Sequence, residues 1–317
     1  MNQSHASLPH VLSGQRQEIQ DPQAGRISYY VDGPSSSESD SDAAATPLLL
    51  IHSINAAPSA HEVKPLFDNY KRTRPTYALD LPGFGHSERS DRPYNQALMV
   101  RAIHAVVERI RADQPGQAVD ALSVSLSGEF LAKAAVERPD HIRTLAMVSP
   151  TGLAKITKTH GPPEADIGKP GVYRFLSRPA VGKNLYKVLT SRPSIRFFLK
   201  KTFGRKEIDE ELFEHASRLS RTPDAHRAPL YFIAGYLFSA DIQSVFRQLA
   251  QPVWLSHGVR GDFVDFTRGK GITDRPNWKT TVFQTGAMPY FEILDDFVLA
   301  YDDFLAEVNA GSSTTSP

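Results

Sequence analysis

The sequence predicts an α/β protein: a mostly parallel central sheet covered by helices on both faces, with a helical lid inserted late in the chain. Three observations predict it. Short continuous apolar runs such as "PLLLIHS" (47–53) have the form of strands buried on both faces. These runs alternate with amphipathic helical segments, as parallel crossover connections require. After Pro150 the alternation stops, and residues 151–246 read as mainly helical.

The elements follow in order. Residues 1–24 open with "MNQSHASLPHVLSG", which lacks the basic start and apolar stretch of a secretory signal, and read as a partly disordered segment. The first part of the core, 25–150, begins with a strand at "RISYYVDG" and is interrupted at 34–46 by "PSSSESDSDAAAT", an acidic, small-residue loop with nothing to bury. "PLLLIHS" is a strand, "APSAHEVKPLFDNYKR" has helical spacing, and "PTYALDLPG" is a strand closed by a Pro-Gly turn. "YNQALMVRAIHAVVERIRAD" carries apolar residues at three- and four-residue steps. Strand "VDALSVS", helix "GEFLAKAAVER" and strand "IRTLAMVSP" complete this part. Beyond the lid, the second part of the core, 247–308, contains "PVWLSHG", "TTVFQTG" and the amphipathic "ILDDFVLAYDDFLAEV", and 309–317 reads as a disordered tail.

Composition narrows the chemistry. Lysine plus arginine (36) nearly balance aspartate plus glutamate (35), so bulk charge points to no nucleic-acid partner. The absence of cysteine excludes disulfides, thiolate catalysis and cysteine-based metal sites. There is no His-Glu-x-x-His, phosphate-loop or dinucleotide fingerprint, so no metal and no cofactor is expected. The longest apolar run, "APLYFIAGYLF" (228–238), is too short to span a bilayer, and a cytoplasmic location is the expectation.

The candidate chemistry centres on "ALSVSLSGEF" (121–130). Ser125 lies in a small-x-Ser-x-small pattern between a buried strand and a helix, where a serine on a sharp turn exposes its oxygen at a helix N-terminus. The competing reading is a structural serine at a strand end. Four other stretches occur in order: "LLLIHSINAA", "ALDLPGFGHSERS" (78–90), "SHGVRGDFVDF" and "TGAMPYFE". With the serine they resemble the α/β-hydrolase superfamily over roughly 47–153 and 248–308.

That resemblance implies Ser125 as nucleophile, with Ser123 and Ser127 standing where the family has glycines. It implies backbone N–H donors to an oxyanion from Leu126 and from Ile54 or Asn55, with His52 shaping the loop and Ser53 replacing a glycine. The acid is expected after "HG"; Gly261 occupies the usual place, so Asp262 is the choice, with Asp265 three residues beyond. The family's histidine falls at Ala287, and no histidine follows His257. Without a base a serine is a weak nucleophile at neutral pH. His257, at the end of its strand, is the substitute candidate, against the reading of a packed strand-end residue; His86 and His160 are more distant ones.

The leading reading is therefore a serine hydrolase acting on an ester or related acyl substrate, with a non-standard or missing base. The alternatives are a binding or scaffold protein that kept the fold, and a lyase or transferase that never needed the histidine. A separate signal runs from Lys155 to Lys206, where basic residues outnumber acidic ones and alternate with aromatic residues. It reads either as a surface for peripheral membrane contact or anionic-substrate steering, or as a solvated lid face balanced by acidic residues elsewhere.

Overall fold

The computed structural model describes residues 10–34, 45–153, 161–261, 266 and 269–313. One sheet contains β1 (Gln15–Asp21), β2 (Gly25–Asp32), β3 (Leu48–Ile51), β4 (Thr76–Asp80), β5 (Val119–Val124), β6 (Ile142–Val148), β7 (Val253–Gly258) and β8 (Trp278–Phe283). Its spatial order is β1-β2-β4-β3-β5-β6-β7-β8; β1 and β2 run antiparallel to their neighbours and the remaining pairs are parallel. Helices α1 (Lys64–Tyr70), α2 (Gln96–Asp113) and α3 (Ser127–Glu137) connect the early strands. Between β6 and β7 lie α4 (Pro170–Leu176), α5 (Pro179–Leu189), α6 (Arg192–Phe203), α7 (Glu210–Leu219), α8 (Arg227–Ile233) and α9 (Ile242–Gln248). The short α10 (Lys270–Thr273) precedes β8, and α11 (Leu294–Ser313) closes the fold.

The strand period of two sorts the core into two layers. Leu49 and Ile51 of β3 and Ala121 of β5 face Met99, Ile103 and Val107 of α2 and Phe130 of α3. Leu48, Leu50 and Leu122 face the opposite way, onto Phe67 of α1 and Phe297 and Tyr301 of α11. Every residue of β3 and β5 is buried, so β3 reads as an unbroken apolar run, while β5 buries Asp120 and Ser123 among its apolar residues.

Two polar knots pin the sheet's ends. At the base of β5, the buried Asp120 accepts hydrogen bonds from Arg143 Nε (2.8 Å), Arg143 Nη2 (2.7 Å) and Thr144 Oγ1 (2.7 Å), and is paired with Arg74. These partners hold its carboxyl below the usual range although burial alone pushes it up. At the tip of β4, Asp80 accepts from the N–H groups of Ala60 (2.8 Å) and His86 (2.9 Å). Gly85 has φ +49°, and a Cβ there would fall 2.0 Å from the Asp80 carboxylate, so "DLPGFG" is a turn folded around its own aspartate.

The structure adds order in two segments. Within the segment read as partly disordered, Gln15–Asp21 is an ordered edge strand whose polar sequence hides it; its stability comes from the full ladder with β2. The tail read as disordered from 309 is helical to Ser313, and Arg143 Nη1 donates to Asn309 Oδ1 (2.5 Å), fastening the helix beyond its last apolar turn. The disorder readings for 35–44 and 314–317 lie outside the described residues. Among the described residues no helix is long and apolar enough to cross a membrane.

Candidate active site

Ser125 stands between β5 and α3 with φ +56°, in the left-handed region that costs a side-chain-bearing residue free energy. The turn is held from both sides: Ser125 N–H donates to Val148 O (2.8 Å), and Ser125 O accepts from Gly128 N–H (3.0 Å). Ser125 is half-buried, whereas Ser123 and Ser127 are fully buried. The flanking serines do more than stay small. Ser127 Oγ donates to His52 O (2.5 Å), joining the start of α3 to the end of β3, and Ser123 Oγ donates to Ala146 O at 3.4 Å.

The loop after β3 is built around Glu62, which the sequence reading missed. Its carboxylate accepts from Ser53 N–H (2.8 Å) and Asn55 Nδ2 (2.6 Å), while Asn55 Oδ1 accepts from Ala57 N–H (2.9 Å). Asn55 is therefore occupied in shaping the loop. Both nitrogens of the buried His52 are taken by backbone: Nε2 accepts from Leu81 N–H (3.0 Å), which leaves Nδ1–H to donate to Ser53 O (2.6 Å). The N–H groups of Leu126 and Ile54 donate to no acceptor among the described residues, and both stand at the strand ends that the Ser127–His52 bond draws together.

Ala287 is not an empty socket. Its N–H donates to Thr202 O (2.8 Å) near the end of α6, and its carbonyl accepts from Ser149 Oγ (2.7 Å). Ser149, the first residue after β6, has φ +47°. A Cβ at Gly286 would lie 2.5 Å from the Phe203 backbone, so the C-terminus of α6 is seated against the turn after β8. Glu292 ties this region together: its carboxylate accepts from Gly286 N–H (2.8 Å) and Arg260 Nη2 (2.5 Å), with Arg205 Nη1 at 3.2 Å.

His257 is the penultimate residue of β7, and β6 lies between β7 and β5, the strand that leads into Ser125. Its Nδ1 is bonded to Gly258 O (2.7 Å), its ring stacks on Phe266 at 4.1 Å, and burial lowers its pKa. Among the described residues no hydrogen bond joins His257 to Ser125, so the structure does not bring the substitute base and the serine into contact. His86 is held by Tyr30 Oη at 3.0 Å near Asp80. Asp262, Asp265 and His160 lie outside the described residues.

Two further titratable features escaped the sequence reading. Glu129, on the first turn of α3, is buried and accepts from Thr151 Oγ1 (2.5 Å) and Ser239 N–H (2.8 Å); burial raises its pKa to about 7. In the loop after β3, Ser59 Oγ and His215 Nε2 of α7 are hydrogen-bonded at 3.0 Å, and the His215 ring stacks on His61 at 4.7 Å. Burial, aided by His61, lowers the His215 pKa to about 4. Only the helical spacing of Glu129 after Ser125 was available in the sequence; the Ser59–His215 pair is separated by 156 residues.

Residues 48–306 match the model of the alpha/beta hydrolase family. The chain belongs to that family. A curated relative, the uncharacterized hydrolase YugF of Bacillus subtilis (strain 168), is 28% identical over 191 residues, which cover 57% of this chain and 66% of that protein, just under two thirds of its length. Among solved structures, carboxylesterase CesB from Bacillus subtilis superposes with a TM-score of 0.65 at 15% identity, covering 93% of this chain and 92% of that one. Bromoperoxidase from Bacillus anthracis superposes with a TM-score of 0.68 at 16% identity, covering 92% and 100%. These likenesses establish a common fold for this hydrolase-family chain, and a fold shared by an esterase and a bromoperoxidase leaves the reaction to be argued from the site.

Proposed function

We propose that this family member is a serine hydrolase of activated acyl esters or thioesters, with Ser125 as nucleophile. The observation that carries the reading is the φ of +56° at Ser125, a strained turn kept at the helix start beside two N–H groups that have no acceptor among the described residues. In the reaction, Ser125 Oγ attacks the acyl carbon, the carbonyl oxygen takes the charge between the Leu126 and Ile54 N–H groups, and the phenolate or thiolate leaves. Water then attacks the acyl-serine ester and releases the carboxylic acid. Each oxyanion donor is worth about 3 kcal/mol when aimed at the developing charge.

Ala287 sets the substrate class. Among the described residues no imidazole is hydrogen-bonded to Ser125, so the leaving group must depart as a stable anion without being protonated, and the serine proton passes to water. Aryl esters and thioesters meet this condition; simple alkyl esters do not. The test is a rate series over leaving groups of decreasing pKa, with labelling by a fluorophosphonate. Labelling that vanishes in Ser125→Ala, together with a steep dependence on leaving-group pKa, is the expected result; no labelling and no turnover across the series would sink the reading.

A second reading has its own observation. The Thr202 and Phe203 backbone fills the space around Ala287 and Gly286, as it would in a binding protein that no longer needs a base. Ala287→His separates the two: a gain of at least tenfold on alkyl esters supports hydrolysis, and no gain with an intact fold supports the binding protein.

A further inference from the structure

We infer that helices α4, α5 and α6 form a docking surface for an anionic phospholipid bilayer. From Lys169 to Lys206 the chain carries eleven lysines and arginines and no aspartate or glutamate. The whole chain has a formal charge of +1, so subtracting those eleven positive charges leaves −10 on the remainder. The positive charge is thus concentrated in one stretch of the chain, which its near-neutral total conceals.

Part of that charge is spent inside the helical block. Arg192 is bidentate with Glu214 (2.8 and 2.5 Å), Arg196 with Glu210 (2.6 and 2.8 Å), and both guanidinium groups cover the Phe213 ring. These contacts face α7. Arg174, Arg178, Lys183, Lys187 and Lys200 remain exposed on or beside α4, α5 and α6, which pack on one another in sequence.

The apolar side chains on the same helices are what a purely solvated basic face would lack. Phe175 (53%), Phe197 (54%) and Phe198 (50%) are the exposed phenylalanines among the described residues, and Val188 on α5 is 66% exposed. Exposed aromatic rings interleaved with cations, with no intervening acid, are the combination that inserts at a headgroup boundary while neutralising lipid phosphate. A cavity of about 620 Å³ opens beside α5; Lys183, Lys187, Arg192 and Arg221 outnumber the one carboxylate in its lining, Asp224, and Thr190 adds a hydroxyl, a balance that favours a phosphate headgroup. The end of α6 also contacts Ala287, so a bilayer on this face lies against the helix that borders the candidate active site. Binding to lipid does not require Ser125 to react, and the two proposals fail separately.

The full chain is sedimented with vesicles of phosphatidylcholine alone and of phosphatidylcholine with phosphatidylglycerol, at low and high salt. Binding that needs phosphatidylglycerol and weakens at high salt is expected. Lys183→Glu/Lys187→Glu/Lys200→Glu, checked for an unchanged melting temperature, is expected to lower the partition coefficient at least about a hundredfold, since each cation contributes roughly a factor of five. A tryptophan at Phe197 reports insertion, because Trp254 and Trp278 are buried; Phe197→Trp should be quenched by brominated lipid. Binding that ignores lipid charge, an unaffected triple variant, or a salt-resistant dimer abolished by Phe197→Ser/Phe198→Ser would overturn the proposal, the last assigning the face to a second copy of the chain.

Discussion

The backbone N–H of Ala287 donates to the carbonyl of Thr202 at 2.8 Å, so the position expected to carry a base is held by the helical block. The end of α6 is seated on the turn that contains Ala287, with Gly286 making the close approach to Phe203. Ala287 is buried, and its backbone is bonded on one side to Thr202 and on the other to Ser149.

Gly286→Ala tests how tightly that seat is made. Its Cβ would lie 2.5 Å from the Cα, C and O atoms of Phe203, and backbone cannot swing aside as a side-chain tip can. Loss of about 2 kcal/mol or more is expected in chemical denaturation. A change below 0.5 kcal/mol would mean that the contact yields freely.

Relief of strain should be measurable at the elbow. Ser125→Gly is expected to stabilise the fold by about 1 kcal/mol, because glycine accepts φ +56° without penalty. Ser125→Ala, which keeps the strain, should leave the melting temperature within about 1 °C while abolishing acyl-probe labelling. A destabilised glycine variant would contradict the claim that the turn stores strain.

Glu129 makes stability fall with rising pH. Its pKa is near 7 in the folded chain and near 4.5 unfolded, so the folded state holds the extra proton between those values. Stability from this group is complete below pH 4.5 and is lost as pH rises through 7. Glu129→Gln should therefore raise the melting temperature at pH 8 and change it little at pH 4.5, with its amide oxygen still accepting from Ser239 N–H.

His215 acts in the opposite direction. Its folded pKa near 4 lies below the usual 6.5, so protonation favours the unfolded chain, and stability is lost as pH falls from 6.5 towards 4. His215→Gln can keep a hydrogen bond to Ser59 while removing the titration. Its melting temperature should decline less steeply over that interval than the parent's, measured against each protein's own value at pH 7.5.

The fold was legible because parallel strands buried on both faces leave short, mostly apolar runs; "LLLI" is unbroken, and "VDALSV" is interrupted only by the buried Asp120 and Ser123. β1 was not, since "QRQEIQD" is an edge strand whose stability comes from backbone pairing. The elbow at Ser125 was readable from local spacing. The bond from Ser127 to His52, the Glu62 scaffold and the Thr202–Ala287 contact were not, because each joins segments that only the folded chain makes neighbours. The His257 expectation rested on strand position alone, and the ring's bond to its neighbouring carbonyl and stacking on Phe266 depend on the fold.

Asp120 lies near the start of β5, and Ser125 follows directly on its last residue. The aspartate, gripped by Arg74, Arg143 and Thr144, fixes β5 lengthwise, so the strand cannot slide by a residue to relax the turn at its far end. The charged clamp thus works as a foundation bolt: loosening it, by Asp120→Asn for instance, should shift where the serine oxygen points without touching any group near it.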